Sequence, residues 1–267
     1  MKIGHILKQE KPKKNYYDKI NGISAVLWIN LDISKDRRDR MEKRLNKIKI
    51  KNIRVRAVDG INNNVKKVFI SKNSLKNINF QENLKNSELA LTLSHFKVFN
   101  TIKNLTGEYF MVCEDDISFK NLKYFKDVDL KKIIKNSPSF DILTLYKTKL
   151  QKLDEMYTDL NQFNSNETED HIWGSVAYII TKKFAQKMCD IIYYDKKTKK
   201  FIINTDKDIS PSDLFVFSFG KTFVYKYNFI STGISKSYVH LDDANEHLTL
   251  HEKSIKNQLY YIKKDFK

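Results

Sequence analysis

The sequence lacks the features that mark secreted and membrane-spanning proteins. Its 267 residues include only two cysteines, Cys113 and Cys189, and Cys113 lies in an apolar run with the pattern of a buried strand. A disulfide framework is therefore not expected, and a reducing compartment fits. No apolar run approaches the ~18 residues that span a bilayer, and the basic N-terminus has no apolar core of the kind found in a secretory signal. We expect a cytoplasmic protein with no signal peptide or transmembrane segment, and peripheral attachment to a membrane surface stays open.

The chain also lacks internal repeats and a clear domain boundary, and a single domain of this size is ordinary. We expect residues 1–22 to form a basic N-terminal extension, residues 23–252 a single domain and residues 253–267 a basic amphipathic helix. The apolar residues of this last segment recur at helical spacing among lysines: Ile255, Leu259, Ile262 and Phe266.

Positive charge is abundant, with a formal net charge of +17. Such a charge attracts polyanions, which include nucleic acid, an anionic membrane surface and phosphorylated substrates. The lysines are spread through the whole chain, and coding bias is an equally good explanation of their number. No zinc-finger, RRM or helix-turn-helix signature accompanies them. A nucleic-acid partner is therefore not expected, and a non-enzymatic basic nucleic-acid-binding protein is kept as an alternative class.

The order of apolar patterns predicts an α/β protein. Residues 24–31 form an apolar run typical of a buried strand, residues 35–48 carry one apolar helical face, and residues 53–57 alternate as a second strand. Strand, helix and strand in this order form one βαβ unit, which implies a parallel pair. A helix is predicted to begin at Ser87, and further strands are predicted at residues 109–113, 140–146, 173–180 and 222–227.

Three adjacent acids follow the predicted strand at residues 109–113. They are Glu114, Asp115 and Asp116. Ligands of open α/β sheets collect at the carboxyl ends of strands. Three neighbouring carboxylates repel each other, so this edge favours a divalent cation and the phosphates bound to it. The structural alternative is a solvated acidic loop.

The acidic triplet is the last of four blocks of sequence that together resemble the motifs of a known family. The blocks are Ile29–Asp32 with Asp36–Met41, Arg56–Gly60, Ser87–His95 and Glu114–Asp116. Together they resemble the motifs of glycosyltransferase family 25, the lipooligosaccharide and procollagen β-galactosyltransferase group. Weaker similarity follows at residues 173–178 and 210–213. Ser87, Thr92 and Ser212 depart from the family pattern, but they leave the acids and the Ser94–His95 pair in place and bear mainly on donor choice.

The resemblance implies a GT-A-like nucleotide-sugar-binding fold with a mostly parallel central sheet flanked by helices. It implies an inverting, metal-assisted transferase that moves a sugar, commonly galactose, from a UDP-sugar donor with Mn²⁺ or Mg²⁺. Expected acceptors are a glycan, a lipid-linked glycan or a hydroxylated protein. UDP-glucose or UDP-N-acetylglucosamine as donor, and a catalytically silent scaffold, stay open as alternatives.

The resemblance also assigns roles to individual residues. The metal ligands it implies are Asp116 first, then Glu114 and Asp115, with His240 from the C-terminal segment. The donor-binding residues it implies are Asn30, Asp32, Arg37, Asp59, Ser94 and His95. Asp213 is the candidate general base, because inversion needs a carboxylate to take the proton of the acceptor hydroxyl. Structural alternatives are a loop start at Asp32, a turn at Asp59, an interior histidine at His95 and a helix cap at Asp213.

Overall fold

A computed structural model describes residues 15–62, 65, 69–71, 80–148, 153–160, 174–233 and 244–266. The strands in these ranges are β1 (Ala25–Asn30), β2 (Asn52–Arg56), β3 (Phe69–Ser71), β4 (Tyr109–Glu114), β5 (Ile117–Ser118), β6 (Ile142–Thr144), β7 (Tyr157–Asp159), β8 (Ala177–Thr181), β9 (Ile192–Asp195), β10 (Lys200–Ile203), β11 (Thr222–Tyr225) and β12 (Ser231–Thr232). The α-helices are α1 (Lys35–Leu45), α2 (Asn86–Ile102), α3 (Leu130–Asn136), α4 (Lys182–Ile191), α5 (Ser212–Phe215) and α6 (Ala244–Asp265). Short 3₁₀ helices span Tyr16–Lys19, Lys120–Tyr124 and Phe217–Phe219.

The central sheet has seven strands in the order β2-β1-β4-β8-β6-β11-β7. The pairs β1–β2, β1–β4 and β6–β11 are parallel, whereas β8 runs antiparallel to both of its neighbours and β7 runs antiparallel to β11. Five of the seven strands therefore point the same way. The predicted α/β class, with a mostly parallel central sheet flanked by helices, is confirmed.

Strand β1 shows why the sequences of the central strands are continuous apolar runs. All six of its residues are buried. Successive side chains of a strand point to opposite faces, so Leu27 and Ile29 enter one core while Val26 and Trp28 enter the other. Helices α2 and α4 cover the first face and α1, α3 and α6 cover the second. A strand that is covered on both sides has no solvent face and therefore needs no polar alternation.

Helix α6 begins at Ala244, well before the predicted start at residue 253. From residue 252 onward, where the structure describes the side chains of α6, the buried positions are Ser254, Gln258 and Ile262, which lie four residues apart and therefore on one face. Ile262 packs in the second core. None of the helices in the described ranges is long and apolar enough to cross a membrane.

A buried lysine connects α6 to the end of β6. Lys147 is fully buried, and its ammonium group donates to the backbone oxygen of Lys226 and to Oε1 of Gln258, the latter at 3.2 Å. Asn228 accepts from the backbone N–H of Lys147 at 3.0 Å and donates to its carbonyl at 2.9 Å. Burial lowers the pKa of Lys147 to about 7. These polar contacts satisfy groups that would otherwise be costly inside the core.

Candidate active site

An open cleft lies at the carboxyl ends of β1 and β4. Its lining combines residues from five segments: Ile29, Asn30 and Leu31; Arg37; Ala57, Val58, Gly60 and Ile61; Ser87, Ala90, Leu91 and Ser94; and Glu114, Asp115 and Asp116. The sheet register explains why they meet. Ile29 is opposite Glu114 and Asn30 is opposite Arg56, so three adjacent parallel strands end at the same level. This is the edge at which open α/β sheets bind ligands.

The turn at residues 57–61 packs tightly on α2 and forms one wall of the cleft. A Cβ atom on Gly60 would lie 2.6 Å from the Cβ of Ala90 and 2.7 Å from the carbonyl oxygen of Asn86. Only glycine fits such a close approach. Ser94 links this turn to α2, because its hydroxyl accepts from the backbone N–H of Val58 at 2.9 Å and donates to the carbonyl of Ala90 at 2.7 Å.

Asp115 is the internal counter-ion of the cleft. Its Oδ1 accepts from Arg37 at 2.7 Å and its Oδ2 accepts from the side-chain amide of Asn30 at 2.6 Å. The residue is only 6% exposed. Both carboxylate oxygens are thus engaged by neighbouring side chains. Asp115, which the sequence ranked third among the acids as a metal ligand, is bound to Arg37 and Asn30 in this structure.

Asp116 has a different environment. Its Oδ1 is buried without a hydrogen-bond partner, and its Oδ2 lies 3.6 Å from the guanidinium of Arg37. Burial raises the pKa of Asp116 to about 6, with Arg37 opposing the rise and Asp115 adding to it. A buried carboxylate oxygen without a hydrogen-bond partner lowers the stability of the fold, and a bound cation would satisfy it.

Glu114 completes the acidic edge. Its pKa is raised to about 8 by burial and then by the charges of Asp116 and Asp115. The described residues contain no group of three or more His, Cys, Asp or Glu side chains arranged to hold a metal ion. The assignment of Asp116 and Glu114 as metal ligands stays a prediction. His240, the predicted C-terminal ligand, lies outside the described residues.

Asp32 lies beside the cleft and is held by two arginines. Its Oδ1 accepts from Arg54 at 2.7 Å, and its Oδ2 accepts from Nε of Arg56 at 2.7 Å. Hydrogen bonds from Arg56 and then Arg54 lower the pKa of Asp32 to about 2. Arg54 also donates from Nε to Oδ1 of Asn30 at 2.8 Å. The sequence reasoning missed Arg54, although the two-residue period of a strand places Arg54 and Arg56 on the same face of β2.

Asp59 and His95 also lie outside the cleft lining. Asp59 accepts from the backbone N–H groups of Ile61 and Asn62 at 2.9 and 3.1 Å and so stabilises the turn. His95 is fully buried, its Nδ1 lies 2.8 Å from the hydroxyl of Tyr178, and its Nε2 has no hydrogen-bond partner. Burial lowers the pKa of His95 to about 3, so the imidazole is neutral. The predicted contacts of Asp32, Asp59 and His95 with a donor stay predictions.

Asp213 lies in the short helix α5, close to the acidic edge. The helix begins at Ser212 with Pro211 at its N-cap, so Asp213 is the second helical residue. Burial raises the pKa of Asp213 to about 6, while hydrogen bonds from the backbone N–H groups of Asp213, Gly174 and Leu214 oppose the rise. The charge of Asp213 adds to the rise in the pKa of Glu114. The two carboxyl groups therefore interact electrostatically, although Asp213 is not part of the cleft lining described above.

Comparisons with known proteins agree with the motifs. The family model described as "Glycosyltransferase family 25 (LPS biosynthesis protein)" matches residues 23–208. Procollagen galactosyltransferase 2 of Mus musculus is 27% identical over 190 residues, and that of Homo sapiens is 26% identical over 190 residues. Each of these two alignments covers 65% of this chain and 28% of the relative, so the chain spans less than a third of either relative's length. The crystal structure of HddC from Yersinia pseudotuberculosis gives a TM-score of 0.39 at 13% identity, with 88% of this chain and 81% of that chain covered.

Proposed function

Because the chain belongs to glycosyltransferase family 25, we propose that it transfers galactose from a UDP-sugar donor to a hydroxyl group of a glycan or hydroxylated acceptor. The galactosyltransferase names of the two relatives support the choice of sugar. The observation that carries the proposal is the convergence of separate sequence blocks on one cleft. All four blocks line it: Asn30 and Arg37 belong to the first, Val58 and Gly60 to the second, Ser94 to the third and the three acids to the fourth.

The donor would occupy this cleft with its diphosphate at the acidic edge. Arg37 is the guanidinium that contacts two of the acids, and guanidinium groups suit bidentate phosphate binding. The opposite wall, which includes Val58, Ala90 and Leu91, offers an apolar surface for the nucleoside. Asn30 and Ser94 would act through their neighbours, because both are only 1% exposed and their polar atoms are engaged by other protein groups.

Asp116, with Glu114 beside it, would hold the divalent cation. The unpartnered Oδ1 of Asp116 supports this assignment. When bound, Mn²⁺ or Mg²⁺ neutralises charge that develops on a departing nucleoside diphosphate. Arg37 supplies a fixed positive charge at the same place and is held there by Asp115.

The proposed reaction is a single displacement with inversion at the anomeric carbon. The acceptor oxygen forms the new bond to that carbon while the bond from carbon to the phosphate oxygen breaks, and UDP leaves with the electron pair. Asp213 accepts the proton of the acceptor hydroxyl. Its carboxylate is oriented by backbone N–H groups, and its pKa of about 6 leaves it deprotonated and available at neutral pH.

A ligand-stabilisation experiment tests this proposal. UDP at 100 times its dissociation constant should stabilise the protein by about 2.7 kcal/mol, because it binds only the folded state. We expect UDP with Mn²⁺ to raise the melting temperature and double-stranded DNA to have only a salt-sensitive effect. A screen of UDP-galactose, UDP-glucose and UDP-N-acetylglucosamine, scored by UDP release, then identifies the donor. Protection by DNA at physiological salt, with no effect of UDP with or without metal, would exclude the transferase.

A further inference from the structure

A continuous hydrogen-bonded network runs from the surface of β2 to the acidic edge of the cleft. Its members, in order, are Arg56, Asp32, Arg54, Asn30, Asp115 and Arg37. Donors and acceptors alternate along it, and the part that reaches the cleft runs from Arg54 through Asn30 to Asp115. Asn30 is the central member, and it is only 1% exposed.

The contacts of Asn30 determine which way its amide faces. Nδ2 donates to Oδ2 of Asp115 at 2.6 Å and to the carbonyl of Ser34 at 3.3 Å, both of which can only accept. Oδ1 accepts from Nε of Arg54 at 2.8 Å, which can only donate. A flipped amide would oppose oxygen to oxygen and N–H to N–H. Arg54 is the described donor to Oδ1, and together with the acceptor carbonyl of Ser34 at Nδ2 it favours the orientation in which Asn30 can hold Asp115.

We infer that Arg54 is a positioning residue of the active site. It orients Asn30, which holds Asp115, and Asp115 in turn holds Arg37 at the acidic edge. Arg54 itself does not line the cleft and contacts neither Asp115 nor Arg37 through any described hydrogen bond. Its effect on the donor therefore passes through Asn30. This inference rests on the proposed function for its catalytic consequence, while the orientation of Asn30 is independent of any substrate.

Arg56 provides a matched control on the same strand. Both arginines pair with Asp32, but no described hydrogen bond joins the side chain of Arg56 to Asn30, and that side chain is 73% exposed against 20% for Arg54. Arg54→Met and Arg56→Met therefore each remove one positive charge and one salt bridge to Asp32. Only the first removes the donor to Asn30.

The test combines UDP-sugar kinetics with the exchange rate of the Asn30 side-chain amide in ¹⁵N-labelled protein, assigned with Asn30→Ser. We expect Arg54→Met to lower kcat/KM by roughly 10–100-fold, as outer partners of active-site groups do, and to accelerate amide exchange. Arg56→Met should stay within about twofold, as an exposed ion pair predicts, with exchange unchanged. Arg54→Lys should be intermediate, because an ammonium group keeps the charge but cannot reproduce the guanidinium fork.

Equal losses in Arg54→Met and Arg56→Met, or full activity in Arg54→Lys, would show that only the charge beside Asp32 matters and would overturn the inference. Unchanged exchange of the Asn30 amide in Arg54→Met would overturn it as well. If the wild-type protein turns over no UDP-sugar, the proposed function fails. The exchange comparison still decides the orienting role, because it needs no ligand.

Discussion

The charge of Asp213 gives a prediction in which stability and activity move in opposite directions. The carboxylate is buried enough that its pKa rises from 3.8 to about 6. The folded protein therefore disfavours the charged form that a general base requires. Asp213→Asn removes that charge while retaining size and one acceptor oxygen. We expect the variant to be more stable than the wild type at pH 7.5 and far less active.

The magnitude follows from the pKa shift. The difference of about 2.2 units (6 − 3.8), at 1.36 kcal/mol per unit, corresponds to about 3 kcal/mol. Because the folded-state pKa is raised, the penalty is absent below pH 3.8, grows as the pH rises to about 6 and is complete above it. Solvent reaches part of this side chain, so about 3 kcal/mol is an upper bound. The amide oxygen of the asparagine accepts hydrogen bonds from the backbone N–H groups less strongly than the carboxylate does, and this difference costs about 1 kcal/mol. A net gain of about 1–2 kcal/mol raises the melting temperature by about 2–8 °C.

Thermal melts between pH 5 and 8 and UDP-sugar turnover on the same samples test this prediction. Turnover should fall by roughly 10²–10⁴-fold, while UDP–Mn²⁺ affinity changes little. Asp195→Asn is a matched control, because Asp195 is the half-buried last residue of β9 and its pKa is lowered, not raised, by hydrogen bonds from Thr198 and Lys197. That control should not gain stability. A lower melting temperature and near-normal turnover in Asp213→Asn would mean that Asp213 only helps α5 to begin.

Three further predictions address the metal, the buried lysine and the lysine face of α6. Asp116→Asn should weaken UDP–Mn²⁺ binding in calorimetry and reduce both transfer and donor hydrolysis, and unchanged binding would refute its assignment as a ligand. Between pH 7.5 and 9.5, the free energy of unfolding of Lys147→Met should fall relative to the wild type by about 1.4 kcal/mol per pH unit, because the folded wild type binds fewer protons there than the unfolded chain. Urea titrations measure this difference, and a difference that does not change with pH would contradict the lowered pKa of Lys147. The lysine face of α6 consists of the exposed residues Lys256, Lys263 and Lys264. A variant with all three changed to Glu should float less with anionic vesicles, because each lysine near such a surface contributes about 1 kcal/mol to binding. Equal flotation of variant and wild type would exclude this face as a membrane contact.

Local patterns were sufficient to predict the sheet and the acidic edge. The apolar runs of β1 and β4 indicate burial on both faces, and acids that directly follow the second run must lie at the carboxyl end of β4. The insertion of antiparallel β8 between β4 and β6 was not predictable in the same way. It depends on contacts between distant segments, for which a strand pattern gives no partner.

Side-chain pairing explains where the site prediction was incomplete. Asn30 and Arg37 could be placed at strand and helix ends, but their shared partner Asp115 depends on the register between β1 and β4. Arg54 stands outside the recognised motifs, and its role emerges only when β2 pairs with β1. The buried face of α6 was not predictable from apolar spacing either, because it uses Ser254 and Gln258 beside Ile262, and an apolar pattern does not count polar residues.

The two arginines of β2 have a consequence for behaviour in concentrated solution. Within the described residues, β2 and β7 are the outer strands of the central sheet. An open strand edge can recruit another chain, and natural proteins discourage this with short strands or charged side chains. β7 has only three residues, and β2 carries Arg54 and Arg56. Replacing both arginines with apolar residues would uncover an edge capable of intermolecular pairing, so the double variant should self-associate more strongly than either single variant.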